Sequence, residues 1–285
     1  MNCTKICKNT KCETSNLLWQ SMKFGYFMLM ITGKKTELKL KRLGSYSETD
    51  EIRQYVKITN KLIKKCEESG ESREAIRTMK DKLIIDFAKI YSLTYISCFY
   101  HRCIPCANML KTFGGEFGIS VGFDKSDIMK SVENCKANVA RYGREPLNIW
   151  KHQFMNYISG TEQDFNVKIE KFNKIVCKTN EDNCVAMRDS VVDFLFNTTH
   201  YYELENEYRI IRGVNPHADN SRETVSMPLL STAIKKVAVH KSNLPFMQNF
   251  IESLGDSCNY KIKIADEEKD VYYEHPLILY KVQPK

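Results

Sequence analysis

The chain has 285 residues, of which 42% are hydrophobic and 11% are aromatic. This composition excludes a disordered protein, and the length suits one large domain or two small ones. The 43 Lys and Arg residues outnumber the 35 Asp and Glu residues, giving a formal net charge of +8. That charge favours phosphate-bearing ligands. The sequence nevertheless lacks the dense runs of Lys and Arg found in a nucleic-acid-binding arm. No apolar run approaches the roughly 20 residues of a membrane span, so we expect no membrane partner.

The eleven cysteines are scattered and show no regular pairing in the sequence. We see no signal-peptide pattern before them, and several lie in apolar runs, where a thiol behaves as a small core residue. We therefore expect reduced thiols and a cytoplasmic protein. His101-x-Cys103-x-x-Cys106 has a spacing found at zinc sites, but a structural zinc ion needs four ligands and no second paired element is evident. We expect no metal.

The N-terminal part of the chain predicts a flexible start followed by strands. Residues 1–15 are polar and rich in Lys and Cys, and we expect them to be flexible. The apolar run Leu17–Ile31 predicts one or two strands. The basic segment Gly33–Arg42 predicts a turn-like connection.

A helical hairpin is predicted over residues 47–92. The capping pattern Ser47-x-x-Asp50 announces its first helix, apolar residues recur at helical spacing, and Gly70 ends it. The second helix is expected to start near Ser72.

The texture then changes to strands and shorter helices. A β-rich run over 93–100 ends at His101-Arg102, and Pro105 opens a short helix that Gly114-Gly115 ends. Further strands are expected over 118–124, 234–240 and 261–264, with a last edge strand over 277–282. Helices are expected over 126–139, 185–196 and 242–254, and polar segments over 160–182 and 215–226. This order predicts one α+β domain over 16–285, with a central, largely antiparallel sheet and the hairpin inserted near its start.

The acidic segment after His200 carries the main candidate site. If it is a strand, Glu205, Glu207 and Arg209 project from one face while Tyr208 and Ile210 point to the other. Three charges on one face of a half-buried strand indicate a site. They are also compatible with a structural ladder of opposite charges, or with a helical i,i+4 pair of Glu205 and Arg209.

Several motifs together resemble the bacterial family called domain of unknown function two-nine-seven-one. They are Cys98-Phe99, Leu110-x-x-Phe113, Gly118-Ile119-x-Val121-x-Phe123-Asp124, Tyr202-x-x-Glu205-x-Glu207-x-Arg209-Ile210-Ile211 and Ile234-Lys235-Lys236-Val237-Ala238-Val239. The resemblance covers roughly residues 93–265. Tyr202 and Phe113 stand where the family usually has Trp and Tyr, and its early Phe-Asn-Asp-Pro turn is not found here.

The layout of that family is similar to ADP-ribosyltransferases, which implies NAD as the substrate. In such enzymes a strand glutamate holds the ribose as nicotinamide leaves, and a carboxylate stabilises the oxocarbenium-like centre. The resemblance implies that Glu207 supports the ribose and Glu205 serves the acceptor. Arg209 then pairs with a carboxylate or a pyrophosphate, Tyr202 packs on nicotinamide, and His101 and Arg102 are further substrate-binding candidates.

The function predicted from this resemblance is an ADP-ribosyltransferase or NAD glycohydrolase that serves as a toxin or antiphage defence protein. A protein or nucleic-acid acceptor and a partner protein of the same defence system are its expected partners. Two alternatives stay open. The basic segment 34–42 and the net charge suggest a nucleic-acid-binding or nucleolytic effector, and a non-catalytic sensor is the third interpretation.

The Glu207→Gln substitution distinguishes a catalytic role of Glu207 from a structural one. If like charges repel in an active-site cleft, the substitution should leave stability unchanged and abolish activity. If Glu207 is instead the buried partner of Arg209, it should cost on the order of 3 kcal/mol. From the sequence we expect the first outcome.

Overall fold

A computed structural model gives the fold. It describes residues 16–33, 36–45, 50–101, 105, 107–115, 117–141, 149–158, 195–199, 206–213, 223–254, 258–264 and 277–285. These residues form a mixed α+β fold in which helices accompany mostly antiparallel strands. The predicted α+β class is therefore confirmed, whereas an ADP-ribosyltransferase-like fold stays a prediction.

The secondary structure consists of short strands and six longer helices in the described part of the chain. The strands are β1 (Leu17–Met22), β2 (Glu37–Arg42), β3 (Thr94–His101), β4 (Ile119–Asp124), β5 (Ile149–Phe154), β6 (Asn156–Ile158), β7 (Asn197–Thr199), β8 (Glu207–Gly213), β9 (Thr224–Pro228), β10 (Ile234–His240), β11 (Tyr260–Ile264) and β12 (Leu277–Pro284). The helices are α1 (Phe24–Thr32), α2 (Asp50–Glu68), α3 (Arg73–Ser92), α4 (Ala107–Gly114), α5 (Lys125–Arg141) and α6 (Leu244–Leu254).

The chain divides into two compact units. The first contains Met1–Leu38, Cys98–Cys135 and Ser226–Lys285, and the second contains Lys39–Ser97 and Lys136–Val225. A compact unit is not by itself an independently folding domain. The single domain expected over 16–285 therefore stays a prediction.

The first unit is built on an antiparallel sheet with the strand order β11-β12-β10-β4-β1-β3. β12 pairs with β10 on one side and with β11 on the other. The prediction of an edge strand over 277–282 is therefore wrong. Leu277, Tyr280 and Val282 of this central strand are buried.

The packing of β1 on β4 depends on a close aromatic contact. Trp19 lies opposite Gly122, and a Cβ atom at Gly122 would come within 3.0 Å of the Trp19 ring. Trp19 forms a buried cluster with Tyr100 and Ala238. A glycine is needed here because the indole ring occupies the space that a side chain would fill.

Helix α1 corrects the expectation of strands throughout Leu17–Ile31. β1 is a strand, but Phe24–Thr32 forms a helix that buries Phe27, Met30 and Ile31. These positions follow the i, i+3, i+4 spacing of one helix face. The helix packs through Phe24, whose ring centroid lies 4.7 Å from that of Phe250 in α6.

Strand β2 corrects the expectation of a basic turn over Gly33–Arg42. Leu38 and Leu40 are buried, whereas Lys39 and Lys41 are exposed. This is the period of two that a half-buried strand requires. Lys41 and Arg42 pair with Ile96 and Tyr95 of β3, so the basic residues belong to a sheet and not to a turn.

The second unit contains the predicted helical hairpin and the antiparallel pair of β5 and β8. Helix α2 ends at Glu68, just before Gly70, whose φ of +79° suits glycine. The Ser72 hydroxyl accepts a hydrogen bond from the N–H of Ala75 at 3.2 Å and so caps α3. Both helices therefore lie where the sequence predicts them, and Ser47 lies outside the described residues.

Other elements are confirmed with small shifts in their ends. The strands β3, β4, β10 and β11 and the helices α4, α5 and α6 lie in the predicted segments. The polar segment 160–182 and most of the helix predicted over 185–196 lie outside the described residues. The predicted loop 215–226 is described only at its end, where Thr224–Pro228 forms β9. None of the described helices is both long and apolar enough to cross a membrane.

The approach of α4 to the start of β4 predicts the effect of a side chain at Gly118. A Cβ atom there would lie 2.6 Å from the Gly114 Cα atom and 2.8 Å from the Leu110 carbonyl oxygen. Both atoms belong to the backbone and cannot rotate away. We expect Gly118→Ala to lower the free energy of unfolding by about 1–3 kcal/mol in urea titration.

Gly25→Ala is the matched control for Gly118→Ala. No atom lies within 4 Å of a Cβ atom built at Gly25, which is in helix α1. Alanine favours a helix over glycine by about 0.5–1 kcal/mol. Gly25→Ala should therefore leave stability unchanged or raise it, and equal losses in the two variants would contradict the packing argument.

Asp124 caps helix α5 from the end of β4. Its Oδ1 atom accepts hydrogen bonds from the Ser126 hydroxyl at 2.5 Å and from the Asp127 N–H at 3.1 Å. Burial raises the pKa of Asp124, but the hydrogen bonds from Ser126 and Asp127 and the charge of Lys235 outweigh it and lower the pKa below its ordinary value. The ionised carboxylate therefore stabilises the fold.

The stability that Asp124 contributes should depend on pH. A lowered folded-state pKa gives stability that is present above the unfolded pKa of about 3.9 and is lost as the pH falls through the folded pKa. We expect Asp124→Ala to cost about 1 kcal/mol at neutral pH, measured by urea unfolding. The difference from wild type should shrink toward about pH 3, and a difference independent of pH would exclude this role. Asp124→Asn, which keeps an N-cap acceptor, should cost less.

Candidate functional site

The described end of the acidic segment is held in β8, in the second unit. Glu207 and Arg209 are two residues apart and therefore project from the same face of the strand. The Arg209 Nε atom donates to Glu207 Oε1 at 2.6 Å, and Nη2 donates to Oε2 at 2.9 Å. The two side chains thus form a bidentate ion pair.

This ion pair is buried and has further backbone support. Glu207 is 5% exposed and Arg209 is 8% exposed. The Arg209 Nη1 atom donates to the Leu195 carbonyl oxygen at 2.9 Å. The Glu207 carbonyl oxygen accepts from the Met155 N–H at 2.8 Å. The guanidinium therefore satisfies the carboxylate and also connects β8 to the turn before β7.

The electrostatics of the pair follow from its burial. Moving either charge alone out of water is costly, and the opposite charge at hydrogen-bonding distance compensates for that cost. Removing one partner would leave the other charged and buried. Of the readings left open by the sequence, the geometry supports the structural pairing of Glu207 with Arg209.

The opposite face of β8 carries an aromatic contact with β5. Tyr208 lies opposite Phe154, and their rings meet edge to face with centroids 5.1 Å apart. The Tyr208 hydroxyl and the His152 Nδ1 atom are 2.5 Å apart and form a hydrogen bond. The expectation that Tyr208 points away from the charged face is therefore confirmed.

His152 was not among the residues selected from the sequence. The signal that could have found it is the alternation of Trp150, His152 and Phe154 at every second position, which is typical of a strand face. The Arg212 guanidinium lies over the Trp150 ring, 5.2 Å from its centroid. The rings of Trp150, His152 and Phe154 in β5 therefore lie on the same sheet face as Tyr208 of β8.

The structure brings only some of the candidate residues together. Glu207 and Arg209 form the pair in the second unit. His101 belongs to the first unit, where it ends β3 and lies opposite Leu18 of β1. Glu205, Tyr202 and Arg102 lie outside the described residues. Their proposed roles stay predictions.

The described part of the chain contains no group of three or more His, Cys, Asp or Glu side chains able to hold a metal ion. Cys103 and Cys106 lie outside it. Within it, Cys66, Cys98, Cys135 and Cys258 form no disulfide.

The comparisons with known proteins give no relatives: no family model, no curated protein and no solved structure matches the chain. The resemblance to the domain of unknown function two-nine-seven-one family therefore stays a prediction that depends on the motifs alone.

The bidentate pair changes the result expected for Glu207→Gln. The neutral amide cannot compensate the buried guanidinium, so we expect a loss of about 3 kcal/mol in the free energy of unfolding. For a chain of this size that loss corresponds to a melting temperature lower by about 6–12 °C. Differential scanning calorimetry measures the shift, and an unchanged melting temperature would contradict the pairing.

A double replacement distinguishes a lost partner from a lost side chain. Glu207→Leu together with Arg209→Met removes both charges and fills similar volume with apolar atoms. Such replacements of buried ion pairs are often neutral or stabilising. The double variant should therefore recover most of the stability that Glu207→Gln loses.

Proposed function

We propose that the chain is an ADP-ribosyltransferase-like protein that uses NAD as its substrate. The observation that carries the proposal is the Glu-x-Glu-x-Arg segment itself, in which the ion pair with Arg209 fixes the direction of the Glu207 carboxylate. The motif resemblance over roughly 93–265 supports it. A toxin or defence role in the cytoplasm is part of the same proposal.

Stability alone does not explain why this strand buries two charges. An apolar pair of similar volume often stabilises a fold as well as a buried ion pair does, because apolar side chains have no charge to desolvate. A bidentate pair does fix the direction of a carboxylate and keeps it hydrogen-bonded. Such fixed orientation is what a carboxylate requires to act on a developing positive charge.

The proposed chemistry is cleavage of the bond between nicotinamide and ribose. Nicotinamide leaves with the bonding electron pair, so positive charge develops on the ribose carbon and its ring oxygen. A carboxylate near the ribose stabilises that charge until a nucleophile attacks. If the nucleophile is water the reaction is NAD hydrolysis, and if it is a protein or nucleic-acid group the reaction is ADP-ribosyl transfer.

In this proposal the charged residues have distinct roles. Glu207 stabilises the positive charge that develops on the ribose. Arg209 fixes the Glu207 carboxylate through two hydrogen bonds. Glu205 accepts the proton of the attacking group. Tyr202 packs on nicotinamide.

Nicotinamide release from labelled NAD, with and without cell lysate, tests the proposal. We compare wild type, Glu205→Gln and the Glu207→Leu/Arg209→Met double variant, which is expected to stay folded. Each variant should lose at least about 100-fold in rate, the usual cost of removing one group that stabilises a transition state. Glu223→Gln is the matched control because Glu223 is an exposed carboxylate in the same unit.

Two results would count against the proposal. Wild type that releases no nicotinamide in either condition excludes NAD cleavage. Release that persists in both the Glu205→Gln and the double variant excludes the Glu-x-Glu-x-Arg segment as the site.

A further inference from the structure

Helix α1 of the first unit exposes apolar side chains on the face that it does not bury. Tyr26 is 52% exposed and Leu29 is 67% exposed. The two residues are three positions apart and therefore lie on one side of the helix. No charged residue occurs between Phe24 and Thr32. A helix that is apolar on every side is normally covered on every side, so the exposed face of α1 lacks the polar residues of an ordinary surface helix.

Aromatic rings extend this apolar surface from α1 to α6. The Phe24 ring centroid lies 4.8 Å from that of Phe246, which lies 5.5 Å from that of Phe117. Phe246 is 41% exposed and Phe117 is 50% exposed. Phe24 begins the helix that carries Tyr26 and Leu29. These last two residues, together with Phe117 and Phe246, are here called the apolar patch. Single exposed apolar side chains are ordinary, whereas a group of them marks an interaction surface.

Two exposed lysines lie beside the apolar patch. Lys23 directly precedes α1, and Lys111 lies in the last turn of α4. The end of α4 approaches the start of α1, since a Cβ atom at Gly114 would lie 3.3 Å from the Met22 carbonyl oxygen. Neither ammonium group forms an ion pair with another described residue. Positive charge therefore borders the patch.

The acidic residue of α6 does not offset this charge at the patch. Glu252 is six positions after Phe246 and therefore lies about 120° around the helix from it. Glu116 precedes Phe117 in the sequence and lies outside the described residues. The described charges beside the patch are consequently those of the two lysines.

We propose that the apolar patch docks the first unit on the surface of an anionic lipid membrane. Interfacial anchors combine aromatic and aliphatic side chains with neighbouring lysines. Their apolar groups enter the boundary between lipid headgroups and acyl chains, while the ammonium groups meet the anionic headgroups. The apolar patch with Lys23 and Lys111 has both components.

Other occupants fit the patch less well. In a symmetric contact between two copies the same surfaces meet, so Lys23 and Lys111 of one copy would approach those of the other, and like charges repel. A helical partner needs a groove, whereas Tyr26 and Leu29 project into solvent with more than half of their surface exposed. A membrane surface accepts projecting side chains and attracts the lysines.

Contact with a membrane surface requires no membrane-spanning segment. None of the described helices could span a membrane, and the absence of a span is the reason that the sequence predicts no membrane partner. The proposal revises that prediction for surface contact alone. It does not depend on NAD chemistry, because the patch belongs to the first unit and Glu207 to the second.

Co-sedimentation with lipid vesicles, without NAD, tests the proposal. One set of vesicles contains phosphatidylcholine alone, and the other contains about 30% phosphatidylserine as the anionic lipid. The variant Tyr26→Gln/Leu29→Gln removes apolar side chains from exposed positions. The variant Lys23→Gln/Lys111→Gln removes the neighbouring charges.

Each variant has a matched control away from the patch. Val56→Gln/Met129→Gln replaces two other exposed apolar residues, on α2 and α5. Lys57→Gln/Arg77→Gln removes two positive charges from exposed positions on α2 and α3.

Wild type and both controls should bind the vesicles that contain phosphatidylserine. Tyr26→Gln/Leu29→Gln should weaken this binding at least about 10-fold, because two inserted apolar side chains are lost. Lys23→Gln/Lys111→Gln should weaken it about 30-fold at low salt. The effect of the lysine variant should shrink as salt screens the anionic surface.

Leu29→Trp tests insertion separately from charge attraction. An indole ring that enters the acyl boundary should fluoresce at a shorter wavelength and be quenched by brominated lipid. The buried Trp19 and Trp150 provide the background signal, which wild type measures.

Three outcomes would overturn the inference. They are undetectable binding of wild type to phosphatidylserine vesicles at about 50 mM salt, equal binding by the Tyr26→Gln/Leu29→Gln variant and its control, and unchanged Leu29→Trp fluorescence on addition of these vesicles. If the double variant does not fold, Leu29→Gln alone should weaken binding at least about 3-fold, and unchanged binding would also overturn it. Nicotinamide release is not part of these readouts, so the two proposals can fail separately.

Discussion

The geometry of β8 depends on the buried pairing of Glu207 with Arg209. β8 is buried along almost its whole length, so each polar group on it must find a partner within the protein. The guanidinium bonds both oxygens of the Glu207 carboxylate, so the two opposite charges compensate each other within the buried strand. Since Arg209 also bonds the Leu195 carbonyl group, the same charge fixes the chain before β7. The same guanidinium therefore compensates the charge of Glu207 and fixes the position of Leu195.

Hydrophobic periodicity and helix-capping residues account for the parts of the fold that the sequence predicts well. The hairpin helices α2 and α3 have long amphipathic patterns and a serine cap. Both signals depend on residues close in sequence, so they can be recognised from the sequence alone. α1 was missed because Phe24–Ile31 is apolar on every side, and such a run does not distinguish a buried strand from a helix. β2 was missed for the opposite reason: its lysines suggested a solvated turn, although Leu38 and Leu40 alternate with them as in a strand.

The order of strands in the sheet could not be predicted from the sequence, because strand pairing depends on contacts between residues that are distant in the sequence. β12 looks like an edge strand from its position at the end of the chain, yet it lies between β10 and β11. The same limit applies to the candidate sites. Glu207 and Arg209 are close in sequence, and their common face follows from strand alternation alone. By contrast, Lys236 and Lys263 both lie opposite Lys281 only because of the register of β10, β11 and β12.

Solvent exposure explains why one fold can hold both a buried pair of opposite charges and lysines that lie opposite each other on neighbouring strands, as Lys281 and Lys263 do. Two unit charges 5 Å apart interact by about 0.8 kcal/mol in water and by about 3 kcal/mol at the effective dielectric constant of 20 near a protein surface. Like charges are therefore tolerable where water reaches the ammonium groups, as at Lys263, and intolerable where Glu207 and Arg209 lie. Salt should screen exposed charges such as Lys263 far more than the buried pair of Glu207 and Arg209. Ionic strength should consequently change the interactions of the exposed lysines and leave the buried pair that maintains β8 almost unchanged.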